Sequence, residues 1–227
     1  MQKIYQGKTK DVYQLNDGNI QLYFKDDVTG KDGVFDPGAN EVGLQIKDNG
    51  YYGLLMSQIL FEKIEAAGIK THYISANLEE RTMVVKDVDF FGKGIEVICR
   101  MKATGSFIRR YGDYIADGTK LDYYVEVSLK DDEKGDPFID QELLETFEIL
   151  KPGEYDILKD MTKAITKIIE KELANKGLEL IDIKLEFGRD KEGNIILIDE
   201  VSGGNMRVYD KEGKSVKPIE LSKILAD

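Results

Sequence analysis

The chain has 227 residues, 41% of them apolar, and a formal net charge of −11. That length suits one large domain or two small ones sharing a cleft. The acidic balance argues against a general binder of nucleic acid or of an anionic membrane. A single cysteine, Cys99, and a single histidine, His72, exclude an intrachain disulfide and any Cys/His metal site. Both are expected to be structural. No signal segment is visible at Met1–Tyr5, and no apolar run approaches the roughly 18 residues that span a bilayer. A soluble cytoplasmic protein is expected.

Taken in order, Ile4 to Tyr13 reads as strand, turn and strand around Gln6-Gly7-Lys8-Thr9-Lys10. Asn16-Asp17-Gly18-Asn19 is a turn, and Ile20 to Lys25 alternates as a third strand. Asp26 to Gly43, rich in Asp, Gly and Asn, reads as a long irregular segment. Leu55, Met56, Ile59, Leu60 and Ile64 share one face of a helix over Leu54 to Ala67, with Gly68 as its stop. Ile69 to Ile74, Thr82 to Val88 and Ile95 to Met101 read as strands. Gly105 to Gly112 reads as a short basic helix, and Tyr123 to Leu129 as another strand. Lys130 to Pro137 is a charged loop. Gln141 to Leu150 and Tyr155 to Lys176 are helices, the second with a long apolar face. Ile219 to Leu225 closes the chain as a short helix. Strands come first and mixed elements follow, with no regular βαβ alternation. That predicts an α+β fold of antiparallel sheets with packed helices. The segment Lys86 to Gly94 is the expected boundary between a β-rich lobe, 1–85, and an α+β lobe, 86–227.

The most informative stretch is Leu180 to Asp210. Ile181, Ile183, Leu185 and Phe187 fall on one face of a strand, and Asp182, Lys184 and Glu186 on the other. If the turn Arg189 to Gly193 closes a hairpin with Asn194 to Val201, Lys184 comes nearly opposite Asp199. Such a hairpin is either a solvated surface or a floor for Mg²⁺ and a nucleotide, with carboxylates for the metal and an ammonium for phosphate. Gly7-Lys8-Thr9-Lys10 lacks the glycine five residues upstream that a P-loop requires. A glycine turn flanked by lysines can still cover phosphates. Arg100 to Arg110 is the densest cationic cluster, and its Gly105-Ser106 precedes a helix, an arrangement suited to phosphate.

Six stretches together resemble the SAICAR synthetase family. They are YQGKTKDVY, DDVTGKDG, LFEKIEAAGIKTHYI, VICRMKATGSFIRRYG, LKDDEKGDPFID and GLELIDIKLEFGRDKEGNIILIDE. They run in the family's order and cover most of Ile4 to Asp210. The resemblance implies a two-lobed fold with an ATP cleft, akin to kinase and ATP-grasp folds. It implies an ATP- and Mg²⁺-dependent ligase joining L-aspartate to carboxyaminoimidazole ribonucleotide through an acyl phosphate, and a homodimer. Carried over by motif, Lys8 and Lys10 would meet the ATP phosphates, the backbone at Lys86 and Val88 the adenine, and Glu186 the nucleotide ribose. Asp199 would hold Mg²⁺, with Asp136, Asp182 and Asp32 as further candidates. Arg100, Ser106 and Arg207 would hold the ribonucleotide phosphate, and Lys130 and Lys184 would sit near the transferred phosphoryl group or substrate carboxylate. Asn49 to Leu54, Met101 and Ser202 to Met206 depart from the family's usual residues. Such departures also fit a ligase on the same scaffold taking another amine or acid, or a nucleotide-binding regulatory protein.

Overall fold

The computed structural model describes residues 1–31, 34–35 and 42–227. The chain opens with a meander, β1 (Gln2–Gln6), β2 (Lys10–Gln14) and β3 (Ile20–Phe24). β4 (Asp27–Lys31), β5 (Val34–Phe35) and β6 (Val42–Gln45) pair as a small sheet, so the described residues of the segment read as irregular lie mostly in strands. Helix α1 (Asn49–Ala66) leads to the hairpin of β7 (Tyr73–Asn77) and β8 (Thr82–Val85). Then come β9 (Asp89–Phe90), β10 (Ile95–Lys102), α2 (Ser106–Tyr111), β11 (Lys120–Leu129), α3 (Gln141–Thr146) and α4 (Glu154–Asn175). The chain finishes with β12 (Glu179–Arg189), β13 (Ile195–Ile198), β14 (Met206–Tyr209) and α5 (Pro218–Ala226).

The first sheet has the order β1-β2-β3-β8-β7, and the second β11-β10-β12-β13, with β9 and β14 also on β12. Every named strand pair is antiparallel. The first sheet uses only strands up to Val85, and the second only strands from Asp89 onward. Helices pack on both, and the architecture is α+β.

Sequence periodicity explains most of this. In α4, Leu158, Ile165, Ile169 and Leu173 recur at helical spacing and are fully buried. Each contributes about 1.5–3 kcal/mol relative to exposure. They join a single core shared by α1, α5 and both large sheets. Helix α1 starts five residues earlier than its apolar pattern suggests, because its first turn is set by tertiary contact. A Cβ at Gly50 would lie 2.5 Å from the Phe24 carbonyl oxygen. Asp26, distant in sequence, accepts the Gly50 N–H at 3.0 Å. The segment Ile69 to His72 does not extend β7 as read. It crosses to β13, where Thr71 bridges Leu197 in parallel.

Candidate functional site

Strand β12 is the floor of the site. On one side it pairs with β10 over Asp182 to Glu186. On the other, β14 covers Glu179 to Ile183 and β13 covers Glu186 to Arg189. Lys184 and Leu185 fall in the break between those two partners. There the connection from β13 to β14 turns away, and the Lys184 N–H bonds the Asn205 carbonyl oxygen at 2.8 Å. Ile198 stands opposite Glu186, a register that runs Asp199 toward Leu185, one residue from Lys184. Asp199 then leaves the strand in the left-handed region, φ 63, a conformation that costs a non-glycine residue about 1–3 kcal/mol.

A cleft of about 230 Å³ opens over this break. Lys8, Lys10, Lys130, Lys184, Glu186 and Asp199 line it together, as do Gly7 and the segment Ser202 to Asn205. Every one of its lysines already has an anionic partner. Lys10 Nζ lies 3.0 Å from Asp199 and 3.2 Å from Glu200. Lys130 meets Glu186, Lys184 meets Glu96 and Lys8 meets Asp132, each at 2.6 Å. Lys25 reaches Asp27 at 3.3 Å and holds the Gly7 carbonyl at 2.8 Å, which pins the glycine turn over the cleft.

Electrostatics follow from burial and pairing. Burial alone would lower the Lys10 pKa, but Asp199 and Glu200 outweigh it and push it up to about 12. Lys130 and Lys184 are raised in the same way, against burial, chiefly by Glu186 and Glu96 respectively. Burial would raise Asp199, yet the charges of Lys10 and Lys130 hold it well below the ordinary carboxylate range. Glu186 and Glu200 are raised, first by burial and also by the charge of Asp199. The cleft therefore holds one firmly ionised carboxylate between two that give up solvation reluctantly.

A second cluster lies along the polar faces of β10, β11 and β12. Arg100 is 1% exposed. It donates to Glu126 at 2.7 Å, Asp182 at 2.9 Å and Ser106 Oγ at 2.9 Å. Arg207 donates to the same Asp182 oxygen at 2.7 Å. Gly105 lies flat against the Arg207 guanidinium, where a Cβ would come within 2.9 Å of its Cζ. Arg100, Ser106 and Arg207 are thus brought together around one buried carboxylate.

The remaining expected residues that are described stand apart from the cleft lining. Asp182 serves the two arginines. Asp136 accepts the Asp131 N–H at 2.9 Å within its own loop. The Lys86 N–H is bonded to the His72 carbonyl and its Nζ to the Thr71 carbonyl. Val88 packs beside Gly188. Asp32 lies outside the described residues. Sequence reading did not single out Glu96 or Glu200 as site residues. Glu96 could be found from the alternation Glu96, Ile98, Arg100 on β10, and Glu200 only from its contact with Lys10.

Among the described residues, no three His, Cys, Asp or Glu side chains converge as a protein-only metal cage. Asp199, with Glu186 and Glu200 alongside, fits Mg²⁺, which is commonly held by one or two carboxylates and completed by phosphate oxygens.

A cleft lined by lysine–carboxylate pairs between two antiparallel sheets, with a buried arginine–carboxylate cluster on the strands of the second, defines a two-lobed α+β protein. The chain matches the model of the SAICAR synthetase family over residues 3–223 and belongs to that family. It is 54% identical to the phosphoribosylaminoimidazole-succinocarboxamide synthase of Clostridium tetani, over the full length of both chains. It is 35% identical to that of Methanocaldococcus jannaschii, over 95% of this chain and 84% of the relative. Among solved structures, a SAICAR synthetase in complex with ADP superposes with a TM-score of 0.83 at 31% identity, covering 94% of this chain and 87% of the other. The synthase of Ehrlichia chaffeensis gives 0.84 at 31% identity, over 94% and 88%.

Proposed function

We propose that the protein is the ATP-dependent ligase of purine biosynthesis that joins L-aspartate to carboxyaminoimidazole ribonucleotide, releasing ADP and phosphate. Family membership carries the reaction. The observation that supports its placement is the convergence of Lys10, Lys130 and Lys184 with Asp199 and Glu186 in one cleft.

In this reading a substrate carboxylate oxygen attacks the γ-phosphorus and ADP leaves. The aspartate amine then attacks the acyl phosphate, expelling phosphate and losing a proton. Lys8 and Lys10, on the lobe formed by residues 1–85, cover the phosphates. Lys130 and Lys184, on the lobe formed by 86–227, face the transferred phosphoryl group and the substrate carboxylate. Glu186 takes the nucleotide ribose, and adenine meets the Lys86 carbonyl and the Val88 backbone. Asp199 would hold Mg²⁺, which when bound would supply positive charge against the phosphates. Arg100, Ser106 and Arg207 hold the ribonucleotide phosphate, with Asp182 orienting both guanidinium groups. No described helix is long and apolar enough to cross a membrane. We extend the family reading to a cytoplasmic homodimer with small-molecule substrates and no nucleic-acid partner, which sedimentation of the purified protein tests for subunit number.

ADP release is measured with Mg·ATP and the ribonucleotide, with and without L-aspartate. Aspartate-dependent release is the expected result. Release that ignores aspartate but responds to another amine assigns the altered 202–206 segment to a different acceptor. Nucleotide binding with no release under any combination overturns the ligase reading.

A further inference from the structure

His72 contributes nothing to the cleft lining, yet it touches the residue on which the cleft depends. Its ring Nε2 lies 2.9 Å from the carbonyl oxygen of Asp199. A carbonyl only accepts, so Nε2 carries the proton and donates it. The backbone of His72 is used as fully as its ring. Its N–H donates to the Leu197 carbonyl in β13 at 2.9 Å, and its carbonyl accepts the Lys86 N–H at 2.8 Å, just beyond β8. One residue therefore ties the end of the first sheet to the end of the strand that delivers Asp199. The ring is 4% exposed and packs against Phe61, with centroids 5.6 Å apart.

The tie acts on a strained turn. The Asp199 φ of 63 is in the left-handed region, which aspartate enters more readily than most residues but still at a cost. That turn directs the side chain back toward Lys10 rather than along β13. Its peptide carbonyl faces the strap Thr71–His72, where no strand partner meets it, and the imidazole N–H supplies the missing donor. Without it, a partly buried carbonyl left unpaired would favour a turn that finds another partner, and the carboxylate would swing with it.

We infer that His72 is a positioning residue for the nucleotide site: through the Asp199 carbonyl it holds the Asp199 backbone in the conformation that presents its carboxylate to the metal and to Lys10. This rests on the reading of Asp199 as the metal-holding carboxylate. Partners of a metal ligand of this kind typically change metal affinity about 10–100-fold when removed.

ADP binding to the full chain is measured by calorimetry with saturating Mg²⁺ and again with chelator. His72→Phe keeps the ring packed on Phe61 and removes the donor, and His72→Gln restores an N–H of similar reach. His72→Phe is expected to weaken Mg·ADP binding about tenfold or more while leaving metal-free ADP binding within about twofold, and His72→Gln to recover most of the loss. A merely structural histidine lowers both affinities together or neither, and that outcome overturns the inference. Asp199→Asn in the same titration separates the two readings. If it binds Mg·ADP as the parent does, the metal assignment falls and this inference with it. If it loses the metal-dependent affinity and His72→Phe does not, only the role of His72 falls. Should His72→Phe not fold, the parent still decides. His72 is the chain's one histidine, so its ring resonances are unambiguous. An Nε2–H proton shielded from exchange supports the inference, and an Nδ1–H tautomer overturns it.

Discussion

Asp199 carries two burdens at once, a left-handed backbone and a partly buried charge kept ionised by Lys10 and Lys130. Asp199→Asn preserves its shape, and Lys10 keeps Glu200 at 3.2 Å, so the fold should survive. Turnover should fall on the order of a thousandfold, the scale of losing one preorganised charge at a reacting centre. Unchanged kcat with a native circular dichroism spectrum would remove the metal assignment. His72 makes a second prediction at this scale. Burial pulls its pKa down from 6.5 to about 4. Between those values the unfolded chain binds a proton that the native chain does not, so stability falls as pH drops from 6.5 toward 4. The full effect is about 3 kcal/mol. Denaturant titrations of the metal-free protein and of His72→Gln should diverge across that window and run parallel above pH 7.

At the scale of elements, the meeting of β10, α2 and β14 assembles the Arg100, Ser106 and Arg207 cluster proposed for the ribonucleotide phosphate. Gly105 adopts φ 57 and ψ −126, a region nearly closed to other residues. Its missing side chain is the space that the Arg207 guanidinium occupies. Gly105→Ala should lose about 1–3 kcal/mol of stability from backbone strain. It should also raise the KM for the ribonucleotide several-fold, with the KM for ATP nearly unchanged. Arg207→Ala should show the same split, more strongly, and without the backbone strain. Steady-state kinetics with each substrate varied in turn reads both, and equal effects on the two KM values would contradict the phosphate role.

Over the whole molecule, ligand and fold are coupled because the cleft lysines are already neutralised by carboxylates. In the proposed function a polyphosphate takes lysines from Asp199, Glu200 and Glu186, and shielded carboxylates left without a cation are costly. Metal and nucleotide should therefore stabilise the protein together far more than either does alone. At a hundred times its Kd, Mg·ADP contributes about 2.7 kcal/mol, which raises Tm by about 5–10 °C for a chain of this size. ADP with chelator at the same total concentration should give a small fraction of that shift in a thermal melt. Equal shifts would mean that the carboxylates need no metal partner.

The sequence alone determined what is local. Alternation at Ile181 to Phe187 placed Asp182, Lys184 and Glu186 on one face, because a strand's side chains repeat every two residues whatever lies around it. Helical spacing gave α4 its buried stripe. Cations concentrate at Lys8–Lys10 and at Arg100–Arg110 in an acidic chain, which made both stretches candidates for anions before any fold was known. Tertiary structure decided which of these groups meet. Glu96 joins Lys184 only because β10 pairs with β12, 88 residues apart in sequence. Asp182 goes to Arg100 and Arg207 because those strands are its neighbours. Helix α1 begins at Asn49 because β3 offers Gly50 a bare carbonyl surface. The crossing of Thr71–His72 onto β13, and with it the hold on Asp199, leaves no periodic trace in the chain. Contacts between distant segments depend on register and on the packing of the two sheets, and neither is written in the residues on one side of the contact.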